Sequence, residues 1–191
     1  LLVDTYKGNI KDTNLRQYTF FVSFFPQLIA GPIVRYGEII PQFSNRKTDT
    51  LTASNFLTGA TIFIIGLQKK IVLADGIGVY ADGFFSNLAG QDPTLIESWI
   101  GTLAYTFQIY FDFSGYSDMA IGLARIFGIK LPENFKSPYK ATNIIEFWRR
   151  WHITLSRFLS DYLYIPFGGN RKGTGRHYTN IRITMLLGGL W

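Results

Sequence analysis

Residues 50–68, from Thr50 to Gln68, run for 19 positions without a charge or a proline. As a helix, that length is close to the ~20 residues needed to cross a hydrocarbon core. Lys69-Lys70 follow at once. Lysines at such a place snorkel toward the interface, so the sequence predicts a membrane span that closes there. Gln17 to Val34 is a second uncharged stretch, but it holds Pro26, Gly31 and Pro32. Proline removes a backbone donor and crowds the preceding turn. A helix there is expected to kink near Pro26 and end near Gly31-Pro32, with residues 35–49 as a polar connection. Residues 71–85 read as a short helix near the interface.

Residues 98–129 are apolar but carry Gln108, Asp112, Asp118 and Arg125. Phe113-Ser114-Gly115 offers a break, so two helices or half-helices are expected to meet near Gly115. Tyr105, Gln108 and Asp112 then share one face of the first, and Asp118 and Arg125 one face of the second. The fold class that follows is an all-α polytopic membrane protein with transmembrane, broken or re-entrant, and interfacial helices.

Downstream, Pro132 and Pro138 predict an irregular stretch over residues 131–141. Asn143 with Glu146 has the shape of a capping box. A helix is expected over 144–164, with Phe147, Trp151, Leu155, Phe158 and Tyr162 on one face and Arg150, Arg157 and Asp161 on the other. An aromatic, basic, amphipathic helix suits a membrane interface. Residues 171–182 read as a basic loop, and Ile183 opens a further apolar span.

Charge sharpens this picture. Residues 130–182 hold ten basic side chains against three acids, a local +7 that exceeds the +6 of the whole chain. Flanked by apolar spans, such a block is either a cytoplasmic, positive-inside segment or an anion-binding surface. The apolar context argues against nucleic acid. Only 17% of residues are charged, against roughly 25% in soluble domains. The absence of cysteine excludes disulfides and thiol nucleophiles, and two histidines alone argue against a multi-histidine metal centre. Leu1 at one end and an apolar run reaching Trp191 at the other suggest an internal piece of a longer protein.

Three constellations can carry chemistry. In Phe147-Trp148-Arg149-Arg150-Trp151-His152-Ile153-Thr154-Leu155-Ser156, an imidazole sits among tryptophans beside two arginines. It is either a general base for a hydroxyl or a structural hydrogen-bond donor to a carbonyl. Asp112 and Asp118 are intramembrane carboxylates, which are functional candidates by default; the alternative is that Ser117 or Asp118 caps the second helix of a solvated turn. Gly168-Gly169-Asn170-Arg171-Lys172-Gly173 lacks P-loop spacing and reads as a phosphate-binding loop or a basic turn.

Taken in order, several motifs resemble the bacterial membrane-bound O-acyltransferases, most closely the alginate O-acetylation branch. They are Ser23 to Ile33, Gln108 to Asp118, Pro132-Glu133-Asn134-Phe135, Glu146 to Ser156, and Asp161 to Pro166 with Gly168 to Arg171. The resemblance implies one multi-pass inner-membrane domain, of which residues 1–191 are a central fragment. It implies transfer of an acyl group, acetyl in the first place, from a cytoplasmic thioester such as acetyl-CoA toward an exported polysaccharide. Extracytoplasmic acetyltransferase partners complete that transfer, and the lipid bilayer is the other partner. No bound cofactor is implied. A sister branch D-alanylates teichoic acids, and a non-enzymatic transporter is the competing class. His152 matches a family histidine and is the catalytic candidate; the principal family histidine is expected directly after Trp191. Asp112, Asp118, Arg149, Arg150, Ser156, Arg171 and Lys172 are the substrate-binding candidates, with the arginines and Lys172 suited to donor phosphates.

Overall fold

In the computed structural model, residues 2–8, 10, 14–28, 31–43, 51–87, 92–171 and 173–190 are described. They divide into two compact units, Leu1–Pro132 and Glu133–Trp191. Every regular element among these residues is helical.

The long apolar run opens where the Thr52 hydroxyl accepts the Asn55 N–H at 3.2 Å, and α4 (Ala53–Gln68) follows. Before it come α1 (Leu2–Tyr6), α2 (Leu15–Ser23) and α3 (Tyr36–Phe43). The expected closure at Lys69-Lys70 does not occur. Residues Lys69–Ala74 wind as a π-helical segment and pass directly into α5 (Asp75–Asn87). The expected separate helix over 71–85 is therefore the far half of one 35-residue rod, Ala53–Asn87. No proline interrupts it, and carboxylates take up its two lysines. Among the described residues this rod alone is long and apolar enough to cross a membrane, and only 11% of its most apolar stretch is buried. The core helix of a soluble protein would be mostly covered.

α6 (Leu95–Ile126) is also continuous, over 32 residues. Thr94 starts it with a reciprocal cap: its hydroxyl accepts the Glu97 N–H, and the Glu97 carboxylate accepts the Thr94 N–H at 2.8 Å. The expected break at Phe113-Ser114-Gly115 is absent, and so is any cap at Ser117 or Asp118. Gly115 serves a different purpose. Gly59 and Gly66 on α4 meet Gly122 and Gly115 on α6, two antiparallel pairs spaced seven residues apart on each helix. A Cβ added at Gly59 would stand 2.5 Å from the Gly122 carbonyl oxygen, and one at Gly66 would stand 2.6 Å from that of Gly115. The missing side chains are used for backbone approach, as in membrane helix pairs generally.

The amino-terminal part departs further from expectation. α2 stops at Ser23, before Pro26, and a single 3-10 turn Phe25–Gln27 follows, so residues 17–34 form no membrane-length helix. The expected polar connection begins instead as α3, which carries Pro41 within it and buries Tyr36, Ile39 and Ile40; residues 44–49 of that connection lie outside the described residues. Ile39 joins Phe24, Ala124, Ile129 and Leu131 in the core of this unit. Gln42 fastens α3 to the end of α6: its Oε1 accepts the Lys130 N–H at 2.9 Å, and its Nε2 donates to the Lys130 carbonyl at 3.1 Å.

Residues 131–141, which lead from the first unit into the second, are irregular as expected, apart from one 3-10 turn at Pro138–Lys140. α7 (Ile144–Arg150) starts where Asn143 Oδ1 accepts the Glu146 N–H at 2.8 Å. The returning Glu146 carboxylate accepts the Thr142 N–H and hydroxyl, so the box is offset by one residue. Those bonds, with the Arg150 guanidinium, hold its pKa down to about 2. The expected helix over 144–164 then breaks at Trp151-His152. It resumes as α8 (Ile153–Leu159) and a π-helical turn, Ser160–Tyr164. The basic loop expected over 171–182 is largely helical, because α9 (Thr174–Leu190) begins nine residues ahead of Ile183.

Candidate active site

The break at His152 has a local cause. The loop around Asn134 supplies hydrogen bonds at both sides of it. The Ile153 N–H donates to the Asn134 carbonyl at 2.9 Å, and the Lys136 N–H donates to the Arg150 carbonyl at 3.0 Å. The helical ladder therefore gives way to a tertiary one. His152 takes the left-handed conformation, φ 44° and ψ 55°, which costs a residue with a Cβ about 1–2 kcal/mol. Such strain persists where the surroundings over-determine it.

The imidazole is held as tightly as the backbone. His152 Nδ1 lies 2.9 Å from Asn134 Oδ1, and the buried Thr154 hydroxyl donates to that same oxygen at 2.9 Å. Asn134 is 1% exposed. An amide oxygen only accepts, so with Asn134 Oδ1 turned to the ring this contact calls for a proton on Nδ1. Phe135 stacks on the ring at 6.2 Å. Burial pushes the imidazole from its ordinary 6.5 down to about 4, which keeps it neutral, the state a base requires.

His152 lines a cleft of about 680 Å³ formed within the second unit. Trp148, Trp151, Leu155, Leu159, Ile181 and Met185 make its walls largely apolar, and beside His152 the polar side chains of Arg149, Ser156, Arg157, Ser160, Tyr164, His177 and Thr184 reach it. A largely apolar concavity reached by polar side chains is the usual composition of a small-molecule site. The Ser156 hydroxyl donates to the Trp148 carbonyl at 3.4 Å. Tyr164 Oη and His177 Nδ1 are 2.6 Å apart.

The other candidates separate. Arg149 is exposed and lines the cleft. Arg150 faces Glu146 at 2.5 Å and the Lys136 carbonyl at 3.4 Å, and is not part of the cleft wall. Arg171 sits exposed in the turn, its N–H bonded to the Gly168 carbonyl at 3.1 Å. Lys172 lies outside the described residues. Asp112 and Asp118 belong to the first unit, where α6 faces the rod. Asp112 pairs with Lys70 at 2.6 Å and Asp118 with Lys69 at 2.5 Å; Lys70 also reaches Asp75 at 2.8 Å. Asp118, which shares a helical face with Arg125, is thus held by Lys69 from the rod. Among the described residues, no three His, Cys, Asp or Glu side chains gather as a metal site.

Residues 2–191 match the membrane-bound O-acyltransferase family over their whole extent. The chain belongs to that family. It is 53% identical over 191 residues to a probable alginate O-acetylase of Pseudomonas putida, covering 100% of this chain and 38% of the relative. It is 55% identical over 174 residues to a peptidoglycan O-acetyltransferase of Helicobacter pylori, covering 91% of this chain and 33% of the relative. A teichoic acid D-alanyltransferase of Bacillus subtilis is 32% identical over 169 residues, covering 87% and 42%. The chain therefore spans well under half the length of these curated relatives.

Three participants are not marked by the sequence. His177 and Tyr164 come together across thirteen residues, from separate elements with no shared periodicity. Asn134 was visible only as one letter of a motif. Its Pro132-flanked position signalled a constrained loop, but nothing local signalled its hold on His152.

Proposed function

We propose that the complete protein is a multi-pass inner-membrane O-acyltransferase. It moves an acetyl group from a cytoplasmic thioester, acetyl-CoA or a similar donor, toward hydroxyls of an exported polysaccharide. Residues 1–191 would be the central part of its single domain, with the +7 block of residues 130–182 facing the cytoplasm. Partner acetyltransferases outside the membrane would complete delivery. The observation that carries this reading is the setting of His152: its Nδ1 lies against Asn134 Oδ1, burial pushes its pKa down, and it lines an apolar cleft that Arg149 also lines.

The chemistry follows from that geometry. His152 Nε2 takes the proton of the attacking hydroxyl as its oxygen bonds to the thioester carbonyl carbon. Collapse of the tetrahedral species breaks the carbon–sulfur bond, and the departing thiolate recovers the proton from the imidazolium. Arg149, with Arg171 and Lys172, would hold donor phosphates; Ser156 would contact the substrate in the cleft.

The identity of 50–55% to O-acetylating relatives favours acetyl over D-alanyl transfer. A transporter reading draws on the ion pairs of Asp112 and Asp118 with the rod, and it predicts that His152 is dispensable. Acetylation of polysaccharide in cells decides between them. His152→Ala in the full-length protein should lose about 10²–10⁴-fold in rate at equal protein level. Wild-type acetylation by that variant would reduce His152 to a packing residue.

A further inference from the structure

We infer that Asn134 is the positioning residue that sets the tautomer of His152, leaving Nε2 as the basic nitrogen. Asn134 contributes two acceptors to one short segment. Its carbonyl takes the Ile153 N–H, and its side-chain oxygen takes both His152 Nδ1–H and the Thr154 hydroxyl. The backbone bond holds the left-handed turn open, and the side-chain bonds orient the ring within it. At 1% exposure, Asn134 has little water to substitute for these partners.

Asparagine is a specific choice for this role. A carboxylate in the same place would also accept from Nδ1–H, but it would stabilise the imidazolium and raise the histidine pKa. A neutral amide orients without charging. The charged and titratable groups that line the cleft around the ring are Arg149 from α7, Arg157 from α8, Tyr164 from the π-helical turn and His177 from α9. Glu133 and Lys136 flank the Asn134 loop. Both arginines oppose a positive imidazole, so the amide and the cations act in the same direction. The value of the tautomer for turnover rests on the base role proposed for His152; the tautomer itself does not.

The experiment uses the full-length protein in lipid nanodiscs, labelled with ¹⁵N-histidine, and His152→Gln assigns the resonance. The expected result at pH 7 is a neutral ring with Nδ1 protonated and Nε2 unprotonated. Asn134→Asp should bring the imidazolium into view near pH 6 and move the acid limb of kcat upward by about one unit or more. Asn134→Leu should lower kcat on the order of 10²-fold by releasing the tautomer, with the donor KM little changed. Thr154→Val removes the neighbour that shares Oδ1 but not the ring contact, and should keep the wild-type tautomer and pH profile, separating ring control from general loop integrity. A wild-type ring protonated on Nε2, or an Asn134→Asp enzyme with an unshifted acid limb, would overturn the assignment. An Nδ1–H ring in a protein whose His152→Ala variant is fully active would uphold the tautomer assignment and defeat the base role instead.

Discussion

In the pairing of α4 with α6, glycines 59, 66, 115 and 122 let two long helices approach backbone to backbone. In the second unit, α7 and α8 are seven residues each, and the chain between them is forced out of the helix at His152. The first region uses regularity: a spacing of seven between the paired glycines of each helix aligns two close backbone contacts, and α6 runs unbroken for 32 residues. The second uses interruption: one left-handed residue turns an imidazole into an aromatic cleft. Rigid helices carry the frame, while the strained position carries the candidate chemistry. The two regions should therefore fail differently. Changes in the seam should cost stability before activity, and changes in the cleft should do the reverse.

The sharpest test of the seam is Gly66→Leu. The new side chain meets the Gly115 carbonyl and the Met119 N–H, both backbone groups that cannot rotate aside. Overpacking of this kind costs about 1–3 kcal/mol or more, so the full-length variant should accumulate poorly and unfold at a clearly lower temperature in detergent. Gly76→Ala in α5 is the matched control. Nothing lies within 4 Å of its added Cβ, and helical alanine is favoured over glycine by about 0.5–1 kcal/mol. Equal stability of Gly66→Leu and wild type would dissolve the contrast.

A smaller effect separates the ion pairs. Asp118→Asn removes the carboxylate paired with Lys69, whereas Asp112→Asn leaves Lys70 still paired with Asp75. The Lys69–Asp118 side chains are only 27% and 28% exposed. Loss of this pair should cost on the order of 1–2 kcal/mol, discounted for that partial exposure. Thermal unfolding of the two variants should rank Asp118→Asn as the less stable. The reverse order would mean that Asp75 does not compensate.

How far all this could be read in advance depended on what each residue was used for. The apolar run at 50–68 and the capping signal at Asn143 are local, and a helix starts at each, at Ala53 and at Ile144. Gly115 was misread as a break because a glycine's use depends on what approaches it, and the partner lies on another helix. An end at Lys69-Lys70 fails for a related reason: two of the three carboxylates that pair with them, Asp112 and Asp118, lie forty or more residues away, and only Asp75 is local. The helix expected over 144–164 satisfied its own periodicity, and only the Asn134 loop, a tertiary competitor for its backbone groups, breaks it. His152 itself was legible because its aromatic and basic neighbours are adjacent in sequence. The arginines beside it are not separable by sequence, and the structure gives them different surroundings: Arg149 lines the cleft, and Arg150 pairs with Glu146. Arg149→Gln should raise the donor KM several-fold with stability unchanged, by loss of a phosphate contact. Arg150→Gln should lower the unfolding temperature with donor KM unchanged, because Arg150 is engaged by Glu146 and the Lys136 carbonyl. Titrating the donor against both variants checks the split.

The smallest expected effect falls on His177, which the sequence places in the basic stretch 171–182. In the fold it sits on α9, lines the same cleft as His152, and is 2.6 Å from the Tyr164 hydroxyl. Replacement by alanine removes one partially buried hydrogen bond, worth about 0.5–1.5 kcal/mol. It also frees the Tyr164 ring, whose turn is otherwise fixed through the Gly169 N–H bonded to the Tyr164 carbonyl and the Asn180 amide bonded to the Gly169 carbonyl. Those two bonds remain, so the cleft should widen without collapsing. His177→Ala is therefore expected to lose roughly two- to threefold in acetylation at equal protein level, in line with one lost hydrogen bond partly compensated by water. Tyr164→Phe should match it, and the double variant should be no worse than either single one, because both remove the same contact. An additive double loss would show that the two residues act separately on the cleft, and a loss as large as that of His152→Ala would move His177 from the wall of the site to its centre.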